Sequence, residues 1–77
     1  MKLTISKIDK VLWSGEADSV SVPATDGVMT ILSHHMPIIT TLKAGVIIVK
    51  ANMAPPVSFT IEKGFLEVGK SETVILV

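Results

Sequence analysis

Leu3 and Ile5 alternate with Thr4 and Ser6, and the same period of two returns along nearly the whole chain. Successive side chains of a strand point to opposite faces, so this spacing predicts strands with one dry face and one wet face. Val20 and Val22 alternate with Ser19 and Ser21, and Val57, Phe59 and Ile61 alternate with Ser58, Thr60 and Glu62. Val11 with Trp13, Met29 with Ile31, Ile38 to Leu42, Val46 to Lys50, Phe65 to Val68, and Val74 with Leu76 complete the extended segments. The apolar set is dominated by Val and Ile, whose β-branched side chains suit a pleated surface better than a helix.

Turn chemistry separates these segments. Ser14-Gly15 reads as a turn, and Pro23 is expected to end its strand. Ala24-Thr25-Asp26-Gly27 is the strongest turn signal, because Asp-Gly readily accepts a left-handed position. Pro37 disfavours helix at Met36, which makes Ser33-His34-His35-Met36-Pro37 irregular. Ala44-Gly45, Asn52 to Pro56, Lys63-Gly64 and Gly69 to Glu72 supply the remaining turns. No stretch shows a capped period of 3.6, so no helix longer than about one turn is expected. The pattern is all-β, with roughly eight or nine short strands forming a flattened barrel or sandwich of two antiparallel sheets.

Two runs break the alternation, Val46-Ile47-Ile48-Val49 and Val74-Ile75-Leu76-Val77. Continuous aliphatic runs fit strands covered on both faces. In a domain this small, either such strands are short and central or another protein covers one outer face. Left bare, they are aggregation-prone.

Length and charge narrow the function. The chain has 77 residues, enough for one domain over 1–77, and a domain of that size buries only ~60% of its unfolded surface. Hydrophobic residues make up 48% and charged residues 18%, which again suggests surface meant for a partner. Seven basic and seven acidic residues cancel, which argues against nucleic acid, where clustered Lys and Arg supply most of the affinity. Without cysteine there is neither disulfide nor thiolate ligand. No apolar run approaches the ~20 residues of a membrane-spanning helix, and Lys2 leads into alternation instead of a signal peptide.

Candidate chemistry is thin. His34 and His35 are adjacent, so on an extended chain they point apart and cannot easily share a metal ion. No metal site and no cofactor are expected. Asp9, Glu16, Asp18, Asp26, Glu62, Glu67 and Glu72 lie beside turns or on wet faces, which fits solvation better than acid–base work. No Gly-x-Ser-x-Gly elbow and no glycine-rich phosphate loop occurs. Trp13 reads as packing. A free-standing sandwich that binds carbohydrate or peptide is the alternative function; it needs an aromatic groove, for which only Trp13, Phe59 and Phe65 are available. A jelly-roll enzyme needs a histidine-rich metal set that the sequence lacks.

The order of motifs resembles the epsilon-subunit family of F-type ATP synthases. Val11-Leu12-Trp13-Ser14-Gly15 leading to Val20-Ser21-Val22-Pro23 is similar to the family's opening. Gly27-Val28-Met29-Thr30-Ile31-Leu32-Ser33-His34-His35-Met36-Pro37-Ile38-Ile39-Thr40 stands where the family has Gly-Glu-Leu-Gly-Ile-x-Pro-Gly-His-Ala-Pro-Leu-Leu-Thr. Leu42-Lys43-Ala44-Gly45, Lys63-Gly64-Phe65-Leu66-Glu67-Val68 and the closing Thr73 to Val77 complete the match. The chain departs at Val28, where relatives carry a Glu facing the membrane ring, and at Thr30, Ser33 and His34, which replace Gly, Pro and Gly.

The resemblance implies a sandwich of about ten short strands and a non-catalytic rotor subunit. Such a subunit links gamma to the c ring in the central stalk, peripheral to the membrane on the cytoplasmic face of the bacterial plasma membrane. It implies gamma contacts at His35, Pro37, Ile38 and Thr40, and a ring-facing turn at Gly27, Val28, Met29 and Thr30. The helical hairpin to which the family assigns nucleotide sensing has no counterpart in these residues. This chain is therefore expected to bind no nucleotide.

Overall fold

The computed structural model describes residues 1–34 and 36–77. Among them are nine strands and no helix: β1 Lys2–Lys7, β2 Lys10–Glu16, β3 Ser19–Ala24, β4 Gly27–Leu32, β5 Ile38–Leu42, β6 Gly45–Lys50, β7 Val57–Ile61, β8 Gly64–Val68 and β9 Glu72–Leu76.

The strands form one curled sheet in the order β2-β1-β9-β8-β5-β3-β6-β7, with β4 on the other side of β3. It folds into two layers. The first is β2-β1-β9-β8-β5 and the second β4-β3-β6-β7, joined where Ala24 pairs with Leu42. The alternating residues fill the space between them. Leu3, Ile5, Leu42, Leu66, Val68 and Ile75 from the first layer meet Val20, Val22, Ile31, Ile47, Val49 and Ile61 from the second in one buried core. At ~25 cal/mol per Å² of apolar area removed from water, this cluster is the main stabilising term. The two-layer all-β reading holds, with the particulars that β1 and β9 pair in parallel and that the layers share a hydrogen-bonded corner.

Three local expectations change. Ser14-Gly15 is not a turn: both residues lie inside β2, opposite Thr4 and Leu3. The Trp13 ring lies over Gly15 at ordinary contact distance, since an added Cβ would sit 3.4 Å from Trp13 Cη2. Pro23 does not end β3, which runs on to Ala24. Its carbonyl accepts a hydrogen bond from Lys43 N at 2.8 Å, on the side where the pairing with β6 has already stopped at Ser21. A strand residue's N–H and C=O point the same way, so the missing donor interrupts no ladder. Finally, the aliphatic runs are covered on one face only. Ile47, Val49 and Ile75 are buried, whereas Val46, Ile48 and Leu76 are exposed.

Close packing also fixes a glycine. A Cβ on Gly64 would stand 2.5 Å from the Leu76 carbonyl oxygen, a backbone atom that cannot swing away. Gly64→Ala is therefore expected to destabilise the domain by about 1–3 kcal/mol through overpacking. A thermal melt checks this, and an unchanged midpoint would show that the β8–β9 pair yields at no cost.

Candidate interface surfaces

Strand directions sort the loops into two ends. β9 runs parallel to β1, while β8 runs antiparallel to β9 and β5 antiparallel to β8. β6 and β3 pair antiparallel, as do β3 and β4. The turns at 25–26, 43–44 and 62–63 therefore gather at one end with the β1–β2 tip at 8–9. The connections at 17–18, 51–56 and 69–71 gather at the other end, together with the start of β5. The residues expected to face a ring lie at the first end. Those expected to face gamma begin at the second, across a body whose axes are 28 × 24 × 23 Å.

The ring-facing set is a tight hairpin. Thr25 and Asp26 turn the chain, and Gly27 takes a positive φ of 134°. Val28 is 79% exposed and Thr30 is exposed, while Met29 packs against the core. Thr30 Oγ1 lies 3.0 Å from Ser21 Oγ, a cross-strand hydroxyl pair between β4 and β3. The outward side of this hairpin thus offers the aliphatic Val28 and a hydroxyl, next to the exposed Asp26 of the turn.

The gamma-facing set divides. Pro37 is exposed, but Ile38 and Thr40 are half-buried, and Ile38 packs against the core. His35 lies outside the described residues. The outward residues of β5 are Ile39, 71% exposed, and Thr41. Ile39 does not stand alone. Thr41 pairs with Phe65, Phe65 with Leu76, Ile39 with Glu67, and Glu67 with Val74. Side chains directly opposite on one face are ~5 Å apart, so Ile39, Phe65, Val74 and Leu76 form one apolar patch around Glu67. Phe65 is 55% and Leu76 51% exposed. These residues line a shallow recess of about 210 Å³, and a second of about 430 Å³ continues past Phe65 to Lys63 and Val77. The sequence marks the Val74 to Val77 run as a face for a partner but gives no such role to Phe65. The available signal was the unbroken Val74 to Val77 run, half of which the core cannot cover.

The alternative functions find little support in the geometry. Phe59 and Phe65 line different recesses, so they do not share an aromatic groove. Among the described residues no three of His, Cys, Asp and Glu come together to hold a metal ion. EDTA is accordingly expected to leave the melting midpoint unchanged, and a marked drop would reveal a structural metal.

Comparison with known proteins agrees with this architecture. The family described as ATP synthase, Delta/Epsilon chain, beta-sandwich domain matches residues 1–77. The chain is 40% identical to an ATP synthase epsilon chain of Nostoc, over 100% of its own length and 58% of that relative's. It is 36% identical to one of Chlorobium limicola, over 97% of this chain and 85% of the relative. The chain therefore spans little more than half the length of several curated relatives it matches. A chain in the mitochondrial ATP synthase of Euglena gracilis, solved with OSCP, F1 and the c-ring, superposes with a TM-score of 0.89 at 21% identity, over 97% of this chain and 48% of that one. One in the Tetrahymena thermophila central stalk and c-ring gives 0.83 at 12% identity, over 99% and 61%.

Proposed function

The chain belongs to the ATP synthase delta/epsilon β-sandwich family, and from that premise we propose that it is the non-catalytic epsilon component of the central stalk, joining gamma to the c ring. The observation that carries the reading is the largely apolar outer face of β5, β8 and β9 around Glu67, with the Gly27 hairpin at one end of the same body. A small domain with no partner would leave Ile39, Phe65 and Leu76 in water at a continuing cost in solubility. A docked gamma subunit covers them.

Mechanically the task is to hold two neighbours at a fixed angle while the rotor turns. Ion flow drives the ring, the Gly27 to Thr30 hairpin rests on it, and the outer face grips gamma. Between them lies a core that the described residues build from strands and no helix. Protein interiors transmit load without much yielding. Gamma contact is assigned to the exposed Pro37 and to the outward side of β5 at Ile39, beside the half-buried Ile38 and Thr40, and extends over the neighbouring apolar patch; the expected contact His35 lies outside the described residues. The complex places the subunit peripherally on the cytoplasmic face of the bacterial plasma membrane.

Apolar docking has a salt signature. Affinity for gamma is expected to change only modestly between low and high salt, since screening acts on charge pairs and not on apolar burial. A steep loss with salt, measured by calorimetric titration, would contradict the assignment. The broader reading is tested by mixing the tagged protein with gamma and purified c ring and isolating the complex. Recovery of all three supports it; failure to retain either partner overturns it.

A further inference from the structure

Among the described residues, the strand ladders of the two layers meet at one corner, and several further bonds tie that corner. Ala24 pairs with Leu42. Thr25 N donates to Thr41 O at 3.2 Å, and Lys43 N donates to Pro23 O at 2.8 Å. Thr25 Oγ1 lies 2.6 Å from Thr41 Oγ1 and also donates to Thr41 O at 3.2 Å. Beside the corner, within the second layer, Pro23 packs against Gly45 so closely that a Cβ there would come within 2.7 Å of Pro23 Cβ. Both threonines are exposed, so water could satisfy either hydroxyl. Pairing with each other therefore costs the chain freedom without relieving any buried polar group.

The tie connects two surfaces. Thr25 opens the hairpin whose next residues, Gly27 to Thr30, form the proposed ring contact. Thr41 belongs to β5, two residues beyond the exposed Ile39 of the proposed gamma face. A two-residue turn at the tip of an edge hairpin is ordinarily among the most mobile parts of a sandwich. Here it is bonded across to the opposite layer, at the strand that carries the other contact.

We propose that Thr25 and Thr41 are positioning residues: their hydroxyl pair locks the 25–30 hairpin to β5 and so holds the ring-facing turn at a fixed angle to the gamma-facing strand. The proposal rests on the stalk reading for the identity of the partners, but the lock itself does not depend on it. With the pair intact, displacement of the hairpin must carry β5 with it. With the pair removed, the hairpin keeps its backbone bonds but gains the freedom to open.

The test uses the intact protein with Thr25→Val and Thr41→Val, each nearly isosteric and lacking only the hydroxyl, and Thr41→Ser, which keeps it. Amide hydrogen exchange is read at Thr25 and Lys43, with Ile47 and Leu66 as internal references for global opening. Both valine variants are expected to speed exchange at Thr25 and Lys43 about fivefold or more, at unchanged reference rates, while Thr41→Ser stays within about twofold of wild type. Binding to isolated c ring should weaken by a similar factor in the valine variants, and binding to gamma should not. Unchanged exchange at Thr25 and Lys43 overturns the lock. Faster exchange with unaltered ring affinity overturns its positioning role. A wild-type protein that binds no ring overturns the stalk reading and the positioning role with it, and the exchange rates still decide whether the lock exists.

Discussion

Leu66→Ala should lower the thermal midpoint by ten degrees or more, whereas Leu76→Ala on the neighbouring strand should barely move it. Leu66 is fully buried in β8, paired with Thr40 on one side and Ile75 on the other. Truncating such a leucine costs about 2–5 kcal/mol, the lost transfer energy plus the cavity left behind. A native domain holds roughly 0.05–0.15 kcal/mol of stability per residue, or about 4–12 kcal/mol at this length. The substitution therefore removes a large share of the total, and each kcal/mol moves the midpoint of a small domain by about 4–8 °C. Leu76 points outward and half of its surface is already in water, so its truncation should cost under about 1 kcal/mol. Circular dichroism melts of the two variants side by side give the answer. Equal losses would mean that the inward and outward faces of the β8–β9 pair have been exchanged.

Strand identity was legible wherever apolar and polar residues alternated. Val20 and Val22 beside serines, or Leu3 and Ile5 beside Thr4 and Ser6, declare their faces through period two. The signal failed where both neighbours were apolar. Ile38-Ile39 and Val74-Ile75-Leu76-Val77 fit either assignment of faces, and only register decides. Ile39 stands opposite Glu67, and Leu76 opposite Phe65, which puts both outside. Two turn assignments failed for a different reason, since Gly15 and Pro23 are punctuation in isolation but here serve packing. Gly15 lies under the Trp13 ring, and Pro23 occupies a strand position that needs no donor. The Thr25–Thr41 tie was beyond reach, because it joins residues 16 positions apart in different layers. The same ambiguity limited the contact residues: a motif places a segment near a partner but does not say which of two adjacent isoleucines meets it.

That ambiguity yields the second large effect. Ile38→Asp and Ile39→Asp are the same chemical change one residue apart, and the structure expects opposite outcomes. Ile38 packs against the core, so an aspartate there places a carboxylate against apolar neighbours. Burying a polar group without a partner costs several kcal/mol, roughly 2–7 depending on the reference environment. Ile38→Asp should therefore fold poorly, with a melting midpoint lowered by tens of degrees or no cooperative transition. Ile39→Asp should melt close to wild type, because its side chain is solvated in the free protein. Its cost should appear only when gamma covers it, at about 2 kcal/mol or more for a desolvated anchor position.

The most direct measurement of the central claim is a calorimetric titration of gamma into wild type, Ile39→Asp and Phe65→Asp, with a melting curve for each. The outer face of β5, β8 and β9 is the gamma contact if both variants keep the wild-type midpoint within a few degrees and lose affinity about thirtyfold or more, the equivalent of about 2 kcal/mol. Wild-type affinity in both correctly folded variants would contradict it and leave that apolar face to another partner.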